Sequence, residues 1–303
     1  MKRRAGSYII PVERGGLMQF GVLMLGTGAH AAACVGVMEE LESRQAAPCA
    51  VCGMHAGAWP AALVMAGYDA ARLRMALVQA AQRGMGLLSP DIRTRSIING
   101  GKQALSRGLH LQRLLSMQAG ERALAMCEKP GVFICRMARN GHPVIFSTRA
   151  YSQESGAIVT LQASISFAAR AAMGLPPFLA PLDWMGCALL QHEDVVFACR
   201  QLEKLGAQRV LIVAPQPSVR RQMDALELAT QSRYWLCEEM LPEHTALLRV
   251  PMPDDVGALS LNRLLFCAQA GRNAARNGLD RAFERMGMAF CRVLPFRRTF
   301  CGV

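Results

Sequence analysis

The chain has 303 residues, 52% of them hydrophobic but only 6% aromatic, with a formal net charge of +12 and a pI near 9.6. A core built on Ala, Leu, Val and Met suits helices on a parallel sheet and argues against a β-sandwich. The charge favours anionic partners without choosing among phospholipid headgroups, nucleic acid and acidic proteins.

The N-terminal run MKRRAGSYIIPVERGG starts basic, but Pro11, Glu13 and Arg14 interrupt its apolar stretch before it can form a signal-peptide core. Nowhere else is there an uncharged run of about 18 residues that would suit a membrane span. The expected setting is therefore cytoplasmic, with peripheral contact to a membrane. Next, QFGVLMLGTGAHAAACVGVMEELESR reads as a strand, a Gly turn and an amphipathic helix ending near Arg44. PCAVCGMHAGAWPAALVMAGYD repeats that plan with a shorter turn. Its Cys49 and Cys52 have redox-motif spacing on a strand, which reads as two core thiols. The other cysteines of the eleven, such as Cys34, Cys127, Cys199 and Cys267, also lie in apolar segments and read as reduced and buried.

Residues 105–128 read as helical, 132–139 and 143–147 as a strand pair around the turn RNGHP, and AAMGLPPFLAPLDW as a Pro-rich loop. His192-Glu193-Asp194 reads as the cap of a helix that stops at Gly206 and leads to a buried strand at 209–214. A long helix to about residue 241, a strand TALLRVP and a final helix from about residue 260 complete the series. Alternating strands and helices imply a parallel sheet with right-handed crossovers. With no repeat or linker, the division is an N-terminal extension (1–19), one domain (20–280) and a basic C-terminal tail (281–303). Arg272, Arg276, Arg281 and Arg285 fall at helical spacing, followed by Arg292, Arg297 and Arg298, and read as a solvated helix face and a frayed tail.

Two turns carry candidate chemistry. Gly26-Thr27-Gly28-Ala29-His30-Ala31 joins a strand to a helix, where backbone N–H groups can hold a phosphate or an oxyanion. It lacks the third Gly of a dinucleotide fingerprint and the Lys-Ser/Thr of a nucleoside triphosphate loop. Gly53-Met54-His55-Ala56-Gly57 has the form Gly-X-nucleophile-X-Gly, a sharp elbow that exposes a nucleophile above a sheet. A histidine stands where the attacking oxygen belongs.

In order and spacing these motifs resemble the patatin-like phospholipases over residues 20–280. GTGAHAAACVGVMEELE is similar to that family's Gly-rich loop and helix, and GMHAGAWPAALVMAGYD to its elbow. LQASISFAARAAMGLPPFLAP is similar to the segment before its Asp-Gly-Gly/Ala loop, and GALSLNRLLFCAQAGRNAA to its late helix. The resemblance implies a three-layer α/β/α domain with a mostly parallel central sheet, in which an elbow Ser attacks a lipid ester, an Asp acts as base and the Gly-rich loop forms the oxyanion hole. Carried over by position, the Ser falls on His55 and the Asp on Gly186 of Gly186-Cys187-Ala188. The loop's Arg falls on His30, its second Gly on Thr27 and its last on Ala31, so only Gly26 and Gly28 match its glycines.

The resemblance therefore implies a lipid-binding or regulatory pseudoenzyme of lipid metabolism that has lost its Ser-Asp dyad. The alternative is an active lipid acyl hydrolase pairing His55 with Cys187 or Asp183. A metal site of His30 and His55 with Asp183 or His192 lacks supporting local spacing, so no metal and no cofactor are expected. The expected partner is a lipid or an anionic membrane surface. Nucleic acid is disfavoured, because no nucleic-acid motif is visible and Trp59, Trp184 and Trp235 sit in apolar or loop contexts.

Overall fold

The computed structural model describes residues 8–13, 16–17, 19–88, 104–152, 156–230, 236, 238–287 and 289–293. Near the ends of the chain, β1 (Tyr8–Glu13) pairs with β2 (Gly16–Leu17), and with a strand at Ala289–Val293, in a small antiparallel sheet of their own. The extension and the tail thus meet each other.

The main sheet begins with β3 (Phe20–Met24) and β4 (Ala50–Gly53), linked through α1 (Ala33–Ser43). After β4 come α2 (Ala58–Met65) and α3 (Ala70–Arg83), then α4 (Leu109–Ala119), β5 (Gly131–Met137), β6 (Pro143–Ser147) and β7 (Ile158–Thr160). A short α5 (Ile165–Ala171) leads to a hairpin of β8 (Leu182–Trp184) and β9 (Cys187–Gln191). The chain finishes with α6 (Val195–Lys204), β10 (Arg209–Gln216), α7 (Ala225–Ala229), β11 (Thr245–Pro251), α8 (Leu264–Arg285) and the strand at Ala289–Val293, β12. Neighbours in the sheet run β11-β10-β3-β4-β5-β6-β7, and the first five are mutually parallel.

Strands in such a sheet are covered on both sides and read as continuous apolar runs. In β3, Val22 and Met24 face a core shared with α1, α2 and α8, whereas Leu23 belongs to a second core built with α6. The result is a three-layer α/β/α arrangement. Chain order reverses between β10 and β3, and at such a switch point the crevice beyond the strand C-termini is where open α/β sheets place ligands.

Several local expectations need correction. The helix expected over 105–128 is confined to Leu109–Ala119, because Gly108 and Gly120 bracket it at φ +72 and +84. The Pro-rich loop contains β8, and α5, capped by the Ser164 hydroxyl accepting from Phe167 N–H, was not foreseen. Of the long helix expected up to residue 241, the described residues form an α-helix only at Ala225–Ala229, opened by a capping box of Asp224 and Glu227, and a 3₁₀ turn at Glu238–Met240. Asp194 does cap α6, accepting from Phe197 N–H at 2.9 Å.

The arginines at helical spacing on α8 are not simply a solvated face. Arg276 and Arg272 reach across to the carboxylates of Glu40 and Glu39 on α1, at 3.1 and 3.5 Å, and Arg285 pairs with Glu238. The side chains of Arg292, Arg297 and Arg298, and all of Trp235, lie outside the described residues. Among those residues no helix is long and apolar enough to cross a membrane.

Candidate active site

Both candidate turns leave the C-terminal ends of adjacent parallel strands, so they arrive side by side. Ala56 N–H donates to Gly26 O at 3.1 Å and Met54 N–H to Met24 O at 3.0 Å, which stitches the elbow to the Gly-rich loop. His55 has φ +54, the left-handed conformation that L-residues avoid and that a nucleophile elbow imposes. Gly57 makes this turn possible, since a Cβ there would lie 2.2 Å from Met24 O. The resulting fold of the backbone is an elbow in conformation as well as in sequence.

The imidazole of His55 is buried, with 4% exposure, and its Nε2–H donates to His192 O at 2.8 Å. Because a carbonyl only accepts, Nε2 carries a proton. The two amides that a hydrolase elbow would turn toward a developing oxyanion come from the residue after the nucleophile and from the Gly-rich loop. Here Ala56 N–H is bonded to Gly26 O, and Ala29 N–H donates to Ala258 O at 2.7 Å. Both of these are committed to internal carbonyls, whereas the amides of Thr27 and Gly28, the loop residues that line the adjoining cavity, have no backbone acceptor among the described residues. Gly28 adopts φ +51 and lies so near Ala258 that a Cβ would come within 2.0 Å of its oxygen.

Gly26, Thr27, Gly28, His55 and Ala56 open on one cavity of about 110 Å³, whose remaining wall is almost wholly apolar. Leu87, Leu111, Leu114, Phe178, Leu179 and Leu264 form much of it, and Trp59 lines it while its indole N–H donates to Gln118 Oε1 at 2.9 Å. Such a space suits an acyl chain, with a few polar groups at one end.

His30 turns away from this cavity. Its Nε2 lies 3.3 Å from both Val256 O and Glu227 Oε1, and Glu227 is gripped in turn by Arg221. Burial lowers the His30 pKa, outweighing the Glu227 carboxylate that raises it, so the ring is neutral near pH 7 and the contact is a hydrogen bond rather than an ion pair. Thr27 bonds instead to Thr230, hydroxyl to hydroxyl at 3.2 Å. Among the described residues, no group of three or more His, Cys, Asp or Glu stands together as a metal site.

The structure does not bring Gly186, Cys187 or Asp183 to His55. Strand β4 covers one edge of β5 only as far as Gly53 beside Phe133, and β9 takes over that edge with Gln191 beside Cys135. The C-terminal end of β9 therefore abuts the elbow, which is why His192 O meets His55. The other end of β9 points away. From Cys187 to His192 is roughly 16 Å of extended chain at about 3.3 Å per residue. Gly186 sits at the exposed hairpin tip with φ +75, its N–H donating to Asp183 Oδ1 at 3.1 Å. A His55–Cys187 or His55–Asp183 dyad is not formed.

Gln191, which sequence reasoning passed over, does line the cavity, and its Nε2 donates to Glu193 Oε1 at 3.1 Å. The alternation of ALLQH along a strand next to the elbow was the available signal. For Glu227 the Asp-x-x-Glu capping pattern announced a helix start but nothing about His30.

No protein-family model matches the chain, and no curated protein matches it. Solved structures do. VipD from Legionella pneumophila matches with 12% identity and a TM-score of 0.49, over 93% of this chain and 71% of that one. Human GIVD cytosolic phospholipase A2, solved with methyl γ-linolenyl fluorophosphonate, matches with 12% identity and a TM-score of 0.44, over 89% and 59%. The ExoU–SpcU complex from the type III secretion system of Pseudomonas aeruginosa matches with 16% identity and a TM-score of 0.41, over 90% of this chain and 52% of that one.

Proposed function

We propose that this is a patatin-like lipid-binding protein whose Ser-Asp dyad has been lost, and which acts by holding an acyl chain or a lipid-bearing partner, not by hydrolysis. The observation that carries the reading is His55: a residue in left-handed elbow conformation, opening on an apolar cavity, with an imidazole bonded to a backbone carbonyl. Strain of this kind is retained where the surrounding structure fixes it, and it clusters at functional sites. Chemistry at the elbow would need a partner base and free oxyanion donors. The Cys187 and Asp183 side chains lie too far along β9 and its hairpin, and the amide after the elbow residue, Ala56 N–H, is taken by Gly26 O. In this reading the protein is cytoplasmic and meets membranes peripherally, in the service of lipid metabolism, and it needs no cofactor.

The test compares wild type with His55→Ala on a short-chain p-nitrophenyl ester and a fluorescent phospholipid, alongside binding of a fluorescent fatty acid. The expected result is no turnover in either protein, and saturable fatty-acid binding that Ala80→Leu weakens by filling the cavity. Turnover that disappears in His55→Ala would make the protein an enzyme after all. Fatty-acid binding indifferent to Ala80→Leu would remove the cavity from the reading.

A further inference from the structure

Behind the apolar cavity lies a second space, and two helices pass from one to the other within a single turn. Ala80 of α3 lines the cavity, whereas Ala76, four residues earlier and about 6 Å along the helix axis, lines an outer pocket of about 490 Å³. Leu114 of α4 lines the cavity, and Gln118, again four residues away, lines the outer pocket with Tyr68, Arg72 and Gln79. The two spaces therefore lie back to back.

Trp59 stands between them. It lines the cavity on one side, and its indole N–H donates at 2.9 Å to Oε1 of Gln118, which lines the other. Both side chains are buried, at 7% exposure each, so the partition they form is sealed. Gln118 is itself fixed from several directions. Its Nε2 donates to Ala76 O at 2.9 Å and to Gln79 Oε1 at 3.3 Å, and its backbone carbonyl accepts from the Tyr68 hydroxyl at 2.7 Å. An indole anchored in this way cannot swing aside without leaving buried polar groups unpaired, at the full desolvation cost of each.

The space in front of the indole is small. An apolar cavity of about 150 Å³ accepts benzene, so one of about 110 Å³ accommodates roughly four or five carbon atoms. Among the described residues no Lys, Arg, Asp or Glu lines it, which favours an uncharged group inside.

We infer that Trp59, held by Gln118, sets the chain length the cavity accepts: an uncharged acyl group of roughly four or five carbons fills it, and the indole bars further carbons from the outer pocket. The inference rests on the lipid reading above and names the ligand class of that site.

Isothermal titration with methyl esters from butanoate to decanoate tests it. In wild type each added methylene should tighten binding about fourfold, the effect of burying one CH₂, until the cavity is full, and then add nothing. The decanoate-to-butanoate affinity ratio should therefore stay below about twentyfold in wild type and exceed about a hundredfold in Trp59→Leu, where the partition is open. Trp59→Phe, a smaller change that keeps a ring, should raise the ratio by about fourfold. Because the ratio compares two ligands on the same folded protein, lost stability alone does not move it, and thermal denaturation identifies a variant that has not folded.

A wild-type ratio above a hundredfold would overturn the partition, as would ratios in both Trp59 variants equal to that of wild type. Saturable fatty-acid binding in either case would leave the lipid reading standing. Binding of neither ester nor fatty acid would overturn both.

Discussion

Replacing His55 by Gly and by Ala separates the conformation of the elbow from the contacts of the imidazole. Both variants lose the 2.8 Å bond to His192 O and the packing of a buried ring, and both leave that carbonyl short of a partner. A hydrogen bond of this kind contributes about 1 kcal/mol net, and an unsatisfied buried acceptor costs about 1–3 kcal/mol. The two variants differ at the backbone. At φ +54, alanine bears a left-handed penalty of about 1–2 kcal/mol that glycine does not, offset by about 0.5–1 kcal/mol for the larger entropy glycine loses on folding. His55→Gly should therefore be more stable than His55→Ala by about 0.5–1 kcal/mol, the reverse of their order in a helix. Urea denaturation with a common m-value measures the difference directly. Equal stability, or alanine above glycine, would refute the left-handed elbow and with it the central observation of the site.

Gly57→Ala should cost at least about 2–3 kcal/mol, because its Cβ would meet the Met24 carbonyl at 2.2 Å, and thermal denaturation would show it. Gly186→Asp has open space at the hairpin tip and bears only the φ +75 penalty, about 1 kcal/mol. The double variant His55→Ser, Gly186→Asp should stay inactive on esters because the carboxylate is carried at the wrong end of β9, and turnover by it would sink that assignment. Burial holds the His30 and His192 pKa values below the ordinary 6.5, so the stability linked to them is complete above that value and is lost as pH falls through the lowered folded-state values. Urea midpoints should fall on going from pH 7 to pH 5, by up to about 1.4 kcal/mol per pH unit for each histidine, and His30→Gln should flatten the slope. Glu40, held by Arg44 and Arg276 at 3.1 Å each, should cost about 1–2 kcal/mol as Glu40→Gln, less in 1 M salt, which chevron or equilibrium data would resolve.

The elements with unmistakable local signals were legible before the structure. The apolar runs of β3, β4 and β10 and the Gly206 stop follow from periodicity and turn chemistry, which act within a few residues. So did the elbow, because Gly53, Ala56 and Gly57 are steric requirements written at fixed spacing. Helix lengths after Gly108 and Pro217 were not, since glycine stops and caps there compete with a helical pattern that looks continuous.

The sequence by itself determined an α/β chain with two strand-turn-helix units and a histidine at the elbow, since these depend on neighbours along the backbone. Which side chains face that histidine was decided only by the tertiary structure. Motif order placed Gly186 and Cys187 opposite His55, but strand register places His192 O and Gln191 there, because β9 continues the edge of β5 where β4 ends. The same holds for His30, whose partner Glu227 lies nearly two hundred residues away, and for the arginines of α8, whose carboxylates sit on α1. A pairing across such separations is fixed by packing, and no local pattern encodes it.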